Sequence, residues 1–185
     1  MERLIHNSLA ISFLICNFLI SGQGSAGAKF LQINTTTRGA ANAGTMVARP
    51  GLIDALSYNP ATTATLTGSS FIIHHSNYFV GMSFDYMTFT YNISSFGTVS
   101  MGLLGLLSGD IEETTEFQPL GTGRTFTAND FAGFISFARS MTDKFSGGGT
   151  IKYVTQNIDK LTASGIVFDM GAIYKVGLFY DMTIG

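Results

Sequence analysis

Residues 163–174 read Ala-Ser-Gly-Ile-Val-Phe-Asp-Met-Gly-Ala-Ile-Tyr, and this run decides the fold class. Ser164, Ile166, Phe168, Met170, Ala172 and Tyr174 take the even positions, whereas Gly165, Asp169 and Gly171 are among the odd ones. A period of two gives a strand with one greasy face and one small or polar face. The same alternation recurs upstream. Val99, Met101, Leu103 and Leu107 oppose Thr98, Ser100, Gly102 and Ser108. Phe131, Ile135 and Phe137 oppose Asp130, Ala132, Ser136 and Ala138, and Ile151 and Tyr153 oppose Thr150 and Lys152. Residues 80–91 are less regular, with Met82, Phe84 and Tyr86 on one face and Met87, Phe89 and Tyr91 on the other.

The small residues opposite the greasy ones bear on where these strands sit. A soluble sheet exposes Lys and Glu on its second face, but Gly102, Gly165, Gly171, Ser100 and Ser136 stand there instead. Composition agrees: 12% of residues are charged, 12% are aromatic, and there are 22 glycines against 3 prolines in 185 residues. Soluble domains carry roughly a quarter charged residues. The expected fold is all-β, an antiparallel up-and-down transmembrane barrel, of which about six to seven strands lie in this chain. A soluble periplasmic or secreted β-domain that binds a ligand or protein partner is the alternative, because alternation alone does not say which way a face points.

Connections add topology. Residues 94–97 and 142–144 read as tight turns, while 109–127 is long, polar and marked by Pro119, Gly121 and Gly123. Membrane barrels keep short turns in the periplasm and longer loops outside, which places 109–127 outside the cell.

The first residues carry an address. Arg3 and His6 precede an apolar run from Leu9 to Ile20, followed by the small residues Ser21, Gly22, Gly24 and Ala26. That order is a secretory signal peptide, residues 1–24, with cleavage expected between Gly22 and Ala28. Cys16 lies inside it, so the mature chain is expected to hold neither a disulfide nor a thiolate metal site. Residues 25–67 lack strand periodicity and form a hatch-like N-terminal segment, with a short helical turn broken at Pro60. Residues 68–185 are the barrel portion.

Chemistry-bearing residues are few. A net charge of -2 with scattered Lys and Arg argues against nucleic acid. His74 and His75 point to opposite faces of a strand and do not jointly chelate an ion. Asp110, Glu112, Glu113 and Glu116 read as a solvated loop. Gly121-Thr122-Gly123-Arg124 and Gly147-Gly148-Gly149-Thr150 lack the ending of a phosphate loop, and Ser108 is out of step with a nucleophile elbow. No catalytic residues, metal site or cofactor are expected, so the chain is read as not an enzyme. Asp85, Asp169 and Lys152 are expected to face the lumen, the carboxylates pairing with Lys152 or Arg139, because a charge facing lipid is costly. Leu104, Leu106 and Phe134 stand on otherwise polar faces, where they line an apolar path or mark strand ends.

The order of pieces resembles the PorV/PorQ family of outer-membrane proteins, which are similar to FadL-type barrels. The resemblance runs from about Gly24 to Gly185. It is carried by Gly27-Ala28-Lys29-Phe30-Leu31, Arg38-Gly39-Ala40 with Ala43-Gly44, and Asp54-Ala55-Leu56-Ser57-Tyr58-Asn59-Pro60-Ala61. Asp85-Tyr86, Gly109-Asp110-Ile111-Glu112, Gly121-Thr122-Gly123 and Gly147-Gly148-Gly149-Thr150-Ile151-Lys152-Tyr153 follow in order. The resemblance implies that Asn59, Pro60 and Ala61 sit in a hatch plugging the barrel. It departs at Thr62, where glycine is usual, and at residues 46–50. It implies location in the outer membrane among its lipids, and either transport of hydrophobic small molecules or work with the proteins of type IX secretion. Members of the family are longer, so the chain is expected to be the N-terminal part of a longer protein, ending within a seventh strand that begins near Leu178.

Overall fold

The computed structural model describes residues 27–177 and 181–185; the signal peptide expected over residues 1–24 lies outside the described residues. The chain divides into two compact units, residues 1–31 and 32–185. The described end of the first leads into a 3₁₀ turn, Lys29–Gln32. The second contains the sheet, and residues 32–67 fold within that same unit.

Nine strands follow one another among the described residues: β1 (Ser69–Asn77), β2 (Ser83–Ile93), β3 (Gly97–Leu107), β4 (Ile111–Glu112), β5 (Thr125–Phe126), β6 (Ala128–Ser140), β7 (Phe145–Ile158), β8 (Leu161–Gly177) and β9 (Asp181–Ile184). Seven of them form one antiparallel sheet in the order β1-β2-β3-β6-β7-β8-β9, and β4 and β5 pair separately inside the long β3–β6 connection. The architecture is therefore all-β and up-and-down, with β1 and β9 as open edges. The strand expected from near Leu178 falls partly outside the described residues, and Asp181–Ile184 is a strand.

Alternation sorts the side chains sharply. On β2, Phe84, Tyr86, Thr88 and Thr90 are buried while Met87, Phe89 and Tyr91 are exposed. The irregular pattern of residues 80–91 thus has a plain cause: the strand is apolar on both faces over part of its length. On β6, Ala132, Phe134, Ser136 and Ala138 are buried and Phe131, Ile135 and Phe137 are exposed. On β8, Phe168 is 67% and Met170 90% exposed. The large apolar side chains of the central strands thus face outward, and the covered inner face is mostly small or hydroxylated.

Those inner hydroxyls pair with one another across the strands. Thr90 Oγ1 donates to Ser100 Oγ at 3.1 Å, Asn92 Nδ2 to Thr98 Oγ1 at 2.9 Å and Thr150 Oγ1 to Ser136 Oγ at 2.9 Å. A covered hydroxyl without a partner costs about 1–3 kcal/mol, and cross-strand pairing removes that cost.

The two ends of the sheet differ. The links 94–96 and 141–144 are tight and lie at the end where β1 begins. Met141 N donates to Phe145 O at 2.9 Å, and Thr142 Oγ1 accepts from Phe145 N at 2.9 Å. The opposite end carries the long β3–β6 connection, yet its β7–β8 turn is only Asp159-Lys160. Contrast in loop length therefore rests on one connection and not on regular alternation. No helix among the described residues is long and apolar enough to cross a membrane, a criterion that does not bear on strands.

Candidate functional site

The site is built where residues 32–66 cover the inner face. Helix α1 (Thr37–Ala41) starts at Thr36, whose Oγ1 accepts from Gly39 N at 3.1 Å. Such a cap satisfies one of the donors that a helix start leaves unpaired. Gly39 leaves room for the Tyr58 ring and hydroxyl, which occupy the space a Cβ would take. That hydroxyl donates to Asn34 Oδ1 at 2.9 Å, and Arg38 pairs with Asp54 at 3.1 Å. Burial first, and the charge of Asp54 second, raise the Tyr58 pKa above its usual value.

Asn59-Pro60-Ala61 forms the centre of the site. Asn59 caps the 3₁₀ helix Pro60–Thr65, its Oδ1 accepting from Ala61 N at 3.0 Å. Proline follows at the first helical position, where its missing N–H costs nothing. The two hydrogens of the Asn59 amide then reach outward, to Val47 O at 2.9 Å and to Ala172 O of β8 at 3.0 Å. Every hydrogen-bonding direction of this carboxamide that matters to the packing is used. The turn is wholly buried from Pro60 to Ala64 and packs on β3, β6, β7 and β8.

The sheet receives it on glycine. Gly148 and Gly171 are direct partners across β7 and β8. A Cβ on Gly148 would stand 2.8 Å from Ala61 N, and one on Gly171 would meet the Asn59 side chain and lie 2.9 Å from Pro60 Cδ. A methyl on Gly148 would press on the backbone at Pro60 and Ala61, and one on Gly171 would displace the Asn59 side chain and the Pro60 ring. In sequence Gly148 is one of three consecutive glycines, and the strand register brings it opposite Gly171. Thr62, at the position where the resembling family has glycine, is fully buried and donates through Oγ1 to Asn59 O at 2.7 Å.

The polar residues divide between faces. Lys152 Nζ lies 2.7 Å from Asp169 Oδ2 on the covered face, with the lysine side chain 12% exposed. Asp85 departs from expectation: it stands on the other face, with the exposed apolar residues, and its Oδ1 lies 2.6 Å from Nδ1 of its register partner His75. The reason is parity, since Phe84 and Tyr86 turn inward and the residue between them must turn out. His74, one residue from His75, faces the opposite way and meets Thr37 Oγ1 at 3.3 Å. The apolar residues on the covered face cluster: Tyr86 and Phe134 stack with centroids 6.2 Å apart, beside the buried Phe84, Leu104 and Val154. Phe134 also fills the space above Gly102, which has no side chain to contest it.

Comparison with models of known protein families and with curated proteins returned no match. The resemblance to the PorV/PorQ family therefore rests on the motifs quoted from the chain itself.

Proposed function

We propose that this chain supplies wall and plug of an outer-membrane β-barrel of the PorV/PorQ and FadL-like type, acting in passage of hydrophobic compounds across the outer membrane. The observation that carries this reading is the direction of the sheet's faces. Phe89, Met101, Leu103, Ile135, Ile151, Phe168 and Met170 are exposed together on one face, while the face bearing hydroxyls and glycines is covered. Removing each such side chain from water stabilises by about 1.5–3 kcal/mol, and a contiguous exposed patch of this extent marks contact with lipid or a partner. Lipid fits a sheet whose opposite face is small and polar. Closure in lipid requires partners for the edges of β1 and β9, because unpaired backbone groups there cost several kcal/mol each.

Passage of hydrophobic compounds is favoured over type IX export by the covered apolar cluster of Tyr86, Leu104 and Phe134 beside the plug. The test is fractionation of cells expressing the protein, with transport of a fluorescent long-chain fatty acid measured in the same cells. Recovery in the detergent-soluble outer membrane with uptake that depends on the protein supports the proposal. Outer-membrane recovery with unchanged uptake but failed protein export favours the secretion role. Recovery in osmotic-shock fluid would overturn both and favour a soluble periplasmic or secreted β-domain.

A further inference from the structure

The hairpin inside the long β3–β6 connection holds two large apolar side chains almost wholly in water: Phe117 is 94% and Leu120 95% exposed. Their exposure is built by backbone geometry. Thr115 and Gln118 exchange backbone hydrogen bonds at 3.3 and 3.1 Å, closing a tight turn with Glu116 and Phe117 at its apex. Gly121 N then donates to Gln118 O at 3.2 Å, closing a second turn with Pro119 and Leu120 at its centre. Proline presets the backbone at the first central position of such a turn. Each turn thus carries one apolar residue at its tip.

The stem beneath these turns is fixed. Thr122 N donates to Glu113 O at 2.8 Å and Glu113 N to Arg124 O at 2.9 Å. Arg124 bridges Glu113 at 3.2 Å and Asp159 of the β7–β8 turn at 2.5 Å, tying the hairpin to the sheet. A presented apolar pair on a preorganised stem loses little conformational freedom on binding. The hairpin's own charge is one-sided. Asp110 is exposed at its base, Glu112 reaches toward Gly121 and Glu116 is exposed at the tip, while Arg124, the one cation of residues 109–127, is paired with two carboxylates; Lys160 stands outside the hairpin, in the β7–β8 turn.

We infer that the tip of this hairpin is a docking element for another protein, with Phe117 and Leu120 entering an apolar cleft rimmed by lysine or arginine. Anchors of this kind carry most of the affinity at protein interfaces, while rim charges mainly set approach and partner choice. An anionic membrane surface would repel the same carboxylates. This inference does not depend on what passes through the barrel.

The full protein in detergent, immobilised, is panned against a display library of random peptides, and selected peptides are titrated against three forms: parent, F117S/L120S, and D110N/E112Q/E116Q. Expected are peptides pairing apolar with basic residues, whose affinity falls tenfold or more with F117S/L120S and becomes less salt-sensitive with the charge-neutral form. Peptides that bind F117S/L120S as well as parent, or that lack basic residues, overturn the inference. So does Phe117-dependent binding to phosphatidylcholine–phosphatidylglycerol vesicles, or self-association of the parent that F117S/L120S abolishes. Melting of both variants is measured alongside; both tips are solvent-borne and retention of the parent's melting temperature is expected.

Discussion

Asn59 reaches Ala172 across 113 positions of sequence: its amide nitrogen donates to that residue's carbonyl oxygen at 3.0 Å. One side chain thereby joins the covering segment 32–66, the proposed plug, to β8 while capping its own 3₁₀ turn and holding Val47. Removing it leaves carbonyls and an N–H under cover without partners, a cost of about 1–3 kcal/mol for each group left unsatisfied.

Asn59→Ala is therefore expected to loosen the plug and leave the sheet standing. Limited trypsin digestion should cleave at Arg38 faster than in the parent, with abundance of the protein near normal. Asn59→Asp, which keeps the acceptor for Ala61 but loses both donations, should behave almost as badly. Parent-like protease resistance in both variants would remove Asn59 from the tether.

Gly171→Ala tests the seat. The added methyl collides with Asn59 and Pro60, whereas Gly165→Ala on the same strand places its methyl in open space. Overpacking typically costs about 1–3 kcal/mol, and here it falls on the plug. Solute leakage through the membrane should rise for Gly171→Ala alone. Equal leakage in the two variants would mean that the glycine pair does not hold the hatch.

Phe168→Arg probes the exposed face. On the proposed barrel reading, a cation at the midplane of the lipid face costs about 2–4 kcal/mol, so assembly of the protein in the outer membrane is expected to fall sharply. Gly165→Ser, of opposite parity, should assemble with little loss. If both assemble equally, the exposed face does not meet lipid.

Alkaline pH should release the plug through Tyr58. Its pKa is raised in the folded protein, mainly by burial, so its contribution to stability is complete below the unfolded value near 10 and is lost as pH climbs through the folded value. Ionisation also removes the proton donated to Asn34. Protease sensitivity of residues 38–49 should therefore rise above about pH 10, and Tyr58→Phe should flatten that rise. A rise of the same size in Tyr58→Phe would assign it to another group.

The sequence by itself determined the strands and the division of their faces. Side-chain direction reverses at every residue of a strand, so Ile166, Phe168 and Met170 had to share a side whatever lay beyond them. Turn chemistry at residues 142–144 and the irregular character of residues 25–67, with its break at Pro60, were legible for the same reason, since both follow from local backbone preferences. Parity was already enough to place His74 and His75 on opposite faces.

Tertiary structure decided what local preference does not encode. Which face was covered depended on where residues 32–66 came to rest, and Asp85 turned outward to His75 because Phe84 and Tyr86 were the residues that the covered side received. Gly148 became a seat only when the β7–β8 register set it opposite Gly171, and a shift of one residue would place Gly149 there with its α-carbon directed to the other face. The reach of Asn59 to Ala172 is likewise a product of assembly, since no local rule links residues so far apart in sequence. Pairing of strands and docking of the plug are long-range events, fixed by the sum of contacts along the whole sheet and not by any one motif.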